Sequence, residues 1–134
     1  MKVVTAAIIM RDHKVLLTRR GPSGQLAGYW EFPGGKIEDG ESLADCLKRE
    51  LMEELGVLSV IGEIFAESEY HYDHGSFLLI AMYVRLLSDE LKLTVHDQAE
   101  WVSVADLHTY RLAQADIPIA LKLQEANNVF HAMA

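Results

Sequence analysis

The segment Gly35–Val57, GKIEDGESLADCLKRELMEELGV, leaves little freedom in how it can fold. Residues three and four apart share a face of an α-helix. Leu43, Leu47, Leu51 and Leu55 therefore form one apolar stripe, flanked by Ala44 and Cys46. Such a stripe anchors a helix to a core. Ser42 with Asp45 reads as a capping box that starts the helix, and Gly56 is placed to end it as the C′ residue. Glu50, Glu53 and Glu54 then project from another side within a single turn. Like charges that close repel each other. A bound divalent cation would offset the repulsion, and carboxylate oxygens suit hard ions: Mg²⁺ first, Mn²⁺ as the alternative. Leucine packing keeps the helix rigid, so ligands on it lose little entropy when an ion arrives.

An acid-rich helical face is in general simply solvated, so the flanking residues decide. Pro33-Gly34-Gly35-Lys36-Ile37-Glu38-Asp39-Gly40-Glu41 precedes the helix. Its glycines let backbone approach a ligand closely, and a glycine-rich loop leading into an acidic helix reads as a metal–phosphate platform. Gly35, five residues, Glu41, seven residues, then Arg49-Glu50-Leu51-Met52-Glu53-Glu54-Leu55-Gly56-Val57 resembles the Nudix box, G-x5-E-x7-R-E-U-x-E-E-x-G-U, where U is aliphatic. Every fixed position is present.

That resemblance implies a Mg²⁺-dependent hydrolase of phosphoanhydride bonds. Glu53 and Glu54 are then the surest metal ligands, and Glu50 is a ligand or a water-activating base. The backbone carbonyl of Gly34, beside Gly35, completes the coordination sphere. Glu41 steers the helix or touches an outer ion. Arg49 could be a plain helical partner of Glu53 or of Asp45; the resemblance favours a role in orienting the box acids. Lys36 is either a phosphate neutraliser or a solvated loop lysine.

The rest of the chain sets limits. Its 134 residues suffice for one domain with a real core, so 1–134 is read as a single domain. The net charge of −8 disfavours binding to nucleic-acid polymers or acidic membranes. It also opposes an anionic substrate, which would need metal ions for neutralisation. The lone Cys46 excludes an internal disulfide, reads as a buried structural thiol, and suits a reducing compartment. Neither a signal peptide nor an apolar run of about 18 residues is present, which suggests a cytoplasmic protein.

In chain order, Val3–Met10 and Val15–Arg20 read as strands of a hairpin turning at 11–14. Tyr29–Pro33 is a short aromatic strand. After the box helix, strands are expected at Val60–Glu69 and Phe77–Leu87, with a polar turn at 71–76, a short edge strand at Leu91–Leu93, and a strand at Glu100–Ser103. Val104–Tyr110 reads as a short helix and Leu112–Asp116 as a loop. Asp116 is placed to cap a last helix from Ile117 to Phe130, with Pro118 in its first turn. This makes an α/β (α+β) chain. The resemblance implies the Nudix fold, a mixed β-sheet sandwiched between helices.

Within that family the chain is most similar to the MutT-type enzymes that hydrolyse nucleoside triphosphates to the monophosphate and pyrophosphate, by attack at the β- or, less often, the α-phosphorus. The likeness is carried by Leu17-Thr18-Arg19-Arg20, Trp30-Glu31-Phe32-Pro33-Gly34-Gly35-Lys36 and Leu112-Ala113-Gln114-Ala115-Asp116-Ile117-Pro118. It implies substrate contact by Arg20, a base-lining role for Phe32 and base reading by Asp116. Asparagine at that last position suits an oxidised guanine, as in 8-oxo-dGTP. Aspartate suits the exocyclic amine of a cytosine, as in CTP or dCTP.

The sequence also departs from its relatives. The loop arginine of MutT is replaced by Asp73-His74-Gly75. An acid six residues before the late tryptophan is replaced by Val95, which makes nearby Asp97 the metal-ligand candidate. His71, His74 and His96 read as surface or turn residues, and Trp30 and Trp101 as packing residues. Two other readings stay open: a Nudix hydrolase of diadenosine polyphosphates or ADP-ribose, the latter disfavoured by Tyr72 where a proline is expected, and a nonhydrolytic nucleotide sensor. The partner is a small nucleotide, and the chain is a monomer or homodimer.

Overall fold

A computed structural model describes residues 1–73 and 75–133. Six strands form one mixed sheet: β1 Lys2–Arg11, β2 Lys14–Arg20, β3 Trp30–Glu31, β4 Ser59–Tyr72, β5 Gly75–Leu86 and β6 His96–Ser103. Two helices, α1 Leu43–Leu55 and α2 Ile117–Met133, complete the frame. β1 runs parallel to β5, and β4 pairs antiparallel with β5 on its far side. β1 and β2 share only the rungs beside their turn, Met10–Val15 and Arg11–Lys14. Asp12 and His13 make that turn with φ of 51° and 63°, the positive pair that matches hairpin twist.

Beyond the turn the two strands splay, and β2 takes β3 and β6 as antiparallel neighbours. The edge of β1 opened by the splay is filled by the glycine loop. The Thr5 and Ala7 amides donate to the Gly35 and Pro33 carbonyls at 2.8 and 2.7 Å, and the Ile37 amide donates to the Val3 carbonyl at 3.1 Å. The loop is thus held along a strand by backbone hydrogen bonds.

Strand alternation builds a core on each face of the sheet. Ala6, Ile8, Val15, Leu17 and Ala81 pack with Ile119, Ala120 and Leu123 of α2. Ala7, Ile9, Leu16, Ile80 and Met82 pack with Leu47, Leu51 and Leu55 of α1. This is the expected mixed sheet between helices. Those three leucines are fully buried, each worth about 1.5–3 kcal/mol, and they fix which way the glutamates point. Ser42 Oγ accepts from the Asp45 amide at 3.1 Å. Gly56, with φ 65°, donates to the Met52 carbonyl. Cys46 is buried beside Thr5, and burial pushes its thiol pKa up, as suits a structural thiol.

Several expected elements differ. Leu91–Leu93 is not a strand. The Lys92 and Thr94 amides donate instead to the Leu55 and Glu54 carbonyls at 2.8 and 3.2 Å. The last carbonyls of a helix need partners from outside it, and this segment supplies them. β6 begins at His96, ahead of the expected Glu100. Val104–Thr109 and Gln114–Asp116 are 3₁₀ turns, the second running directly into α2. Asp116 therefore does not stand as an isolated cap. His71 and Tyr72 belong to β4 and Ser76 to β5, so the hairpin turn is tighter than expected; His74 lies outside the described residues. The Trp30 ring packs edge-on against Tyr110, and Trp101 lies in the α1-side core under Arg11, both as packing residues.

Candidate functional site

α1 turns its carboxylates toward the mouth of the splay. A cavity of about 360 Å³ opens there, lined by Glu50, Glu53 and Glu54, by Gly34, Gly35 and Lys36, and by Arg20 and His96. The two glycines have specific steric reasons. A Cβ on Gly34 would overlap the Thr5 carbonyl, and a Cβ on Gly35 would overlap the Glu50 carboxyl group. The Glu50 carboxylate therefore rests against the backbone of the loop.

Arg49 holds the acids in place. Its Nε and Nη2 donate to the two Glu41 oxygens at 2.7 and 3.0 Å. Nη1 reaches Glu50 at 2.9 Å and Glu53 at 3.2 Å, and Nη2 also reaches the Lys36 carbonyl at 3.1 Å. Of its two helical candidates, Glu53 is engaged. Hydrogen bonding from Arg49 lowers the Glu41 pKa. Burial raises that of Glu50 against the pull of Arg49.

Glu54 is strongly perturbed. Burial first, then the charges of Glu31 and Glu50, push its pKa up to about 8, while Arg20 and the Gly34 amide act the other way. Its Oε2 is buried without a hydrogen-bond partner. An orphaned buried oxygen among like charges is costly. A divalent cation would satisfy both demands, so this donor set fits a hard metal ion.

Asp97 does not join the cavity. It forms a two-pronged pair with Arg19 at 2.8 and 2.9 Å, which holds its carboxylate pKa down. His96 enters in its place and is buried, contrary to its reading as a surface residue. The cause is a bulge. Arg19 faces Gln98 but Arg20 faces His96, so Asp97 is skipped in the β2–β6 register. A bulge re-aims the side chains around it. His96 and Arg20 share one face as cross-strand partners, and Asp97 turns to the other.

Glu31 has a place in the site that sequence reasoning did not give it. Buried at the end of β3, it accepts from Arg20 Nε at 3.1 Å and pairs with His96 Nε2 at 2.9 Å. The signal was its position between Trp30 and Phe32: a charged residue flanked by packing aromatics points away from them.

Phe32 and Asp116 lie behind the cavity wall. Phe32 is a core residue, and its amide donates to Asp116 Oδ1 at 3.3 Å. Burial, then the Glu31 charge, raises the Asp116 pKa well above its ordinary value.

A family model described as NUDIX domain matches residues 1–123. The chain is 40% identical over 116 residues to CTP pyrophosphohydrolase of Escherichia coli K12, a match covering 87% of this chain and 86% of the relative. It is 28% identical over 124 residues to 8-oxo-dGTP diphosphatase of the same strain, covering 92% and 96%. Among solved structures it is similar to the solution structure of the E. coli ORF135 protein, with TM-score 0.83, 36% identity, and coverage of 95% and 91%.

Proposed function

The chain belongs to the NUDIX domain family, and on that premise we propose that it is a Mg²⁺-dependent nucleoside triphosphate pyrophosphohydrolase, releasing monophosphate and pyrophosphate. The observation that carries this reading is the convergence of the three box glutamates with Arg20 and Lys36 on one cavity. Glu53 and Glu54, with the Gly34 carbonyl, would hold the ion. When bound, the ion neutralises phosphate charge and activates water. Arg20 and Lys36 bind phosphate oxygens, offsetting the repulsion expected from the chain's net charge of −8. Glu50 would join the ligands or take a proton from the attacking water. Glu41 acts through Arg49. Phe32 and Asp116, packed behind the cavity wall, would support the base end from beneath. Among the described residues no helix is long and apolar enough to cross a membrane. We read residues 1–134 as one domain that works in the cytoplasm on small nucleotides.

A hydrolysis panel in Mg²⁺ tests the reading. It compares canonical NTPs and dNTPs, 8-oxo-dGTP, ADP-ribose and diadenosine tetraphosphate, scoring pyrophosphate and phosphate separately. Pyrophosphate from a triphosphate is the expected product, with cytosine preferred if Asp116 meets an exocyclic amine. Turnover of the linked diphosphates alone would move the chain to another branch of the family. Binding without turnover would make it a sensor.

The two glycines give a paired expectation. Gly35→Ala meets only the tip of a side chain. It changes stability by less than about 0.5 kcal/mol yet lowers kcat/KM about tenfold or more, because it displaces Glu50. Gly34→Ala meets the β1 backbone and destabilises the fold by about 1–3 kcal/mol. Thermal unfolding and kinetics on both variants check this; an inert Gly35→Ala would remove Glu50 from the chemistry.

A further inference from the structure

The β6 bulge assembles a group that the box does not contain. His96 Nε2 lies 2.9 Å from Glu31 Oε2 and 3.7 Å from Glu54 Oε1. One ligand atom from each of the three residues lies within 4.8 Å of the others. The residues come from β3, α1 and β6, so the fold and not local sequence brings them together. Glu31, Glu54 and His96 keep only 9%, 8% and 6% of their surface.

Hydrogen bonding accounts for part of this arrangement. Glu31 is satisfied by Arg20 and by the imidazole. Glu54 Oε2 nevertheless remains buried without a partner. Two carboxylates face one ring nitrogen, and an unpaired carboxylate oxygen stands beside them. Buried groups left this way cost free energy unless something else meets them.

We propose that Glu31, Glu54 and His96 form a second divalent-cation site, adjoining the box carboxylates and sharing Glu54 with them, that takes a transition-metal ion such as Mn²⁺ or Co²⁺ in preference to Mg²⁺. The inference rests on the reading of Glu54 as a ligand and deepens it. Selectivity follows from the donors. Imidazole nitrogen suits transition metals, whereas Mg²⁺ favours an all-oxygen shell. Coordination through Nε2 places the ring proton on Nδ1, so the hydrogen bond to Glu31 gives way to a shared ion. Arg20 stays on the other Glu31 oxygen and orients it, as a partner behind a metal ligand does.

Pulsed EPR on the Mn²⁺-loaded protein tests this, with bound Mn²⁺ counted by equilibrium dialysis. The wild type is expected to bind Mn²⁺ with ¹⁴N modulation from a directly coordinated imidazole. His96→Gln, which keeps a donor toward Glu31, is expected to lose that modulation and one bound ion. Glu31→Gln, with the imidazole intact, is expected to weaken the same ion about tenfold or more. Glu53→Gln should lose an ion while keeping the modulation. Mn²⁺ bound without ¹⁴N modulation in the wild type, or modulation that survives His96→Gln, overturns the proposal. Failure of the box reading would show separately, as Glu53→Gln binding as many ions as the wild type.

Discussion

Glu54→Gln is expected to lower turnover about a thousandfold, the order seen when one group is removed from a preorganised charge-stabilising site, while making the metal-free protein more heat-resistant at alkaline pH. Both effects come from the same burial. The Glu54 carboxyl has a pKa of about 8 in the folded chain, caused by burial and by the Glu31 and Glu50 charges. In the unfolded chain it returns to about 4.3. Between those values the folded state holds a proton that the unfolded state has released, so stability falls as pH rises through that window and levels off above it. Glutamine has no proton to lose. Relative to the variant, the wild type should therefore lose melting temperature from pH 5 to pH 8 in EDTA and then run parallel. Mg²⁺ should reverse the order at pH 8, because an ion stabilises the protein that binds it. Thermal unfolding with and without Mg²⁺, beside hydrolysis rates, measures all of this. Full turnover by Glu54→Gln would remove it from the ligand set. Parallel melting curves from pH 5 upward would remove the buried charge.

The parts of the site on α1 were legible because a helix fixes side-chain direction by count. Leu47, Leu51 and Leu55 had to face the core, and Glu50, Glu53 and Glu54 followed. Strands β1, β2 and β5 were legible as apolar runs, because both faces of the sheet are covered; their arrangement between two helices came from the family resemblance and not from periodicity. The β6 side was not legible. Alternation is a two-residue code, and a single inserted residue inverts it. Nothing in Val95-His96-Asp97-Gln98 marks which residue is skipped, so Asp97 read as the inward candidate and His96 as surface. The bulge opposite Arg19 and Arg20 reversed them. Glu31 escaped for a related reason. Its role depends on β3 and β6 flanking β2, a long-range pairing that local pattern does not carry. The Leu91–Leu93 segment misled in the opposite way: its alternation fits a strand, but the end of α1 had the stronger claim on its amides.

Arg49→Lys is expected to cost nearly as much catalytically as Arg49→Ala, about 10- to 100-fold in kcat/KM, the range for groups that orient metal ligands. A lysine keeps the charge but not the fork. Arg49 uses Nε and Nη2 for the two Glu41 oxygens and Nη1 for Glu50 and Glu53, a planar distribution that a single ammonium cannot reproduce. If Arg49 served only to neutralise charge, lysine would restore most of the activity. If it aims the carboxylates, lysine would leave them repelling and misdirected. The two cases differ most in their response to metal. Misaimed ligands lower affinity for the ion, so activity plotted against Mg²⁺ should shift to higher concentration in both variants and recover in part at saturation. Wild-type Mg²⁺ dependence in the Arg49→Lys variant would reduce Arg49 to a counter-charge, and would leave leucine packing beneath α1 as the sole source of the glutamates' alignment. Glu41→Gln offers the converse. It removes the charge from Arg49's strongest partner while leaving the guanidinium on Glu50 and Glu53, and should give the same Mg²⁺ shift in smaller measure.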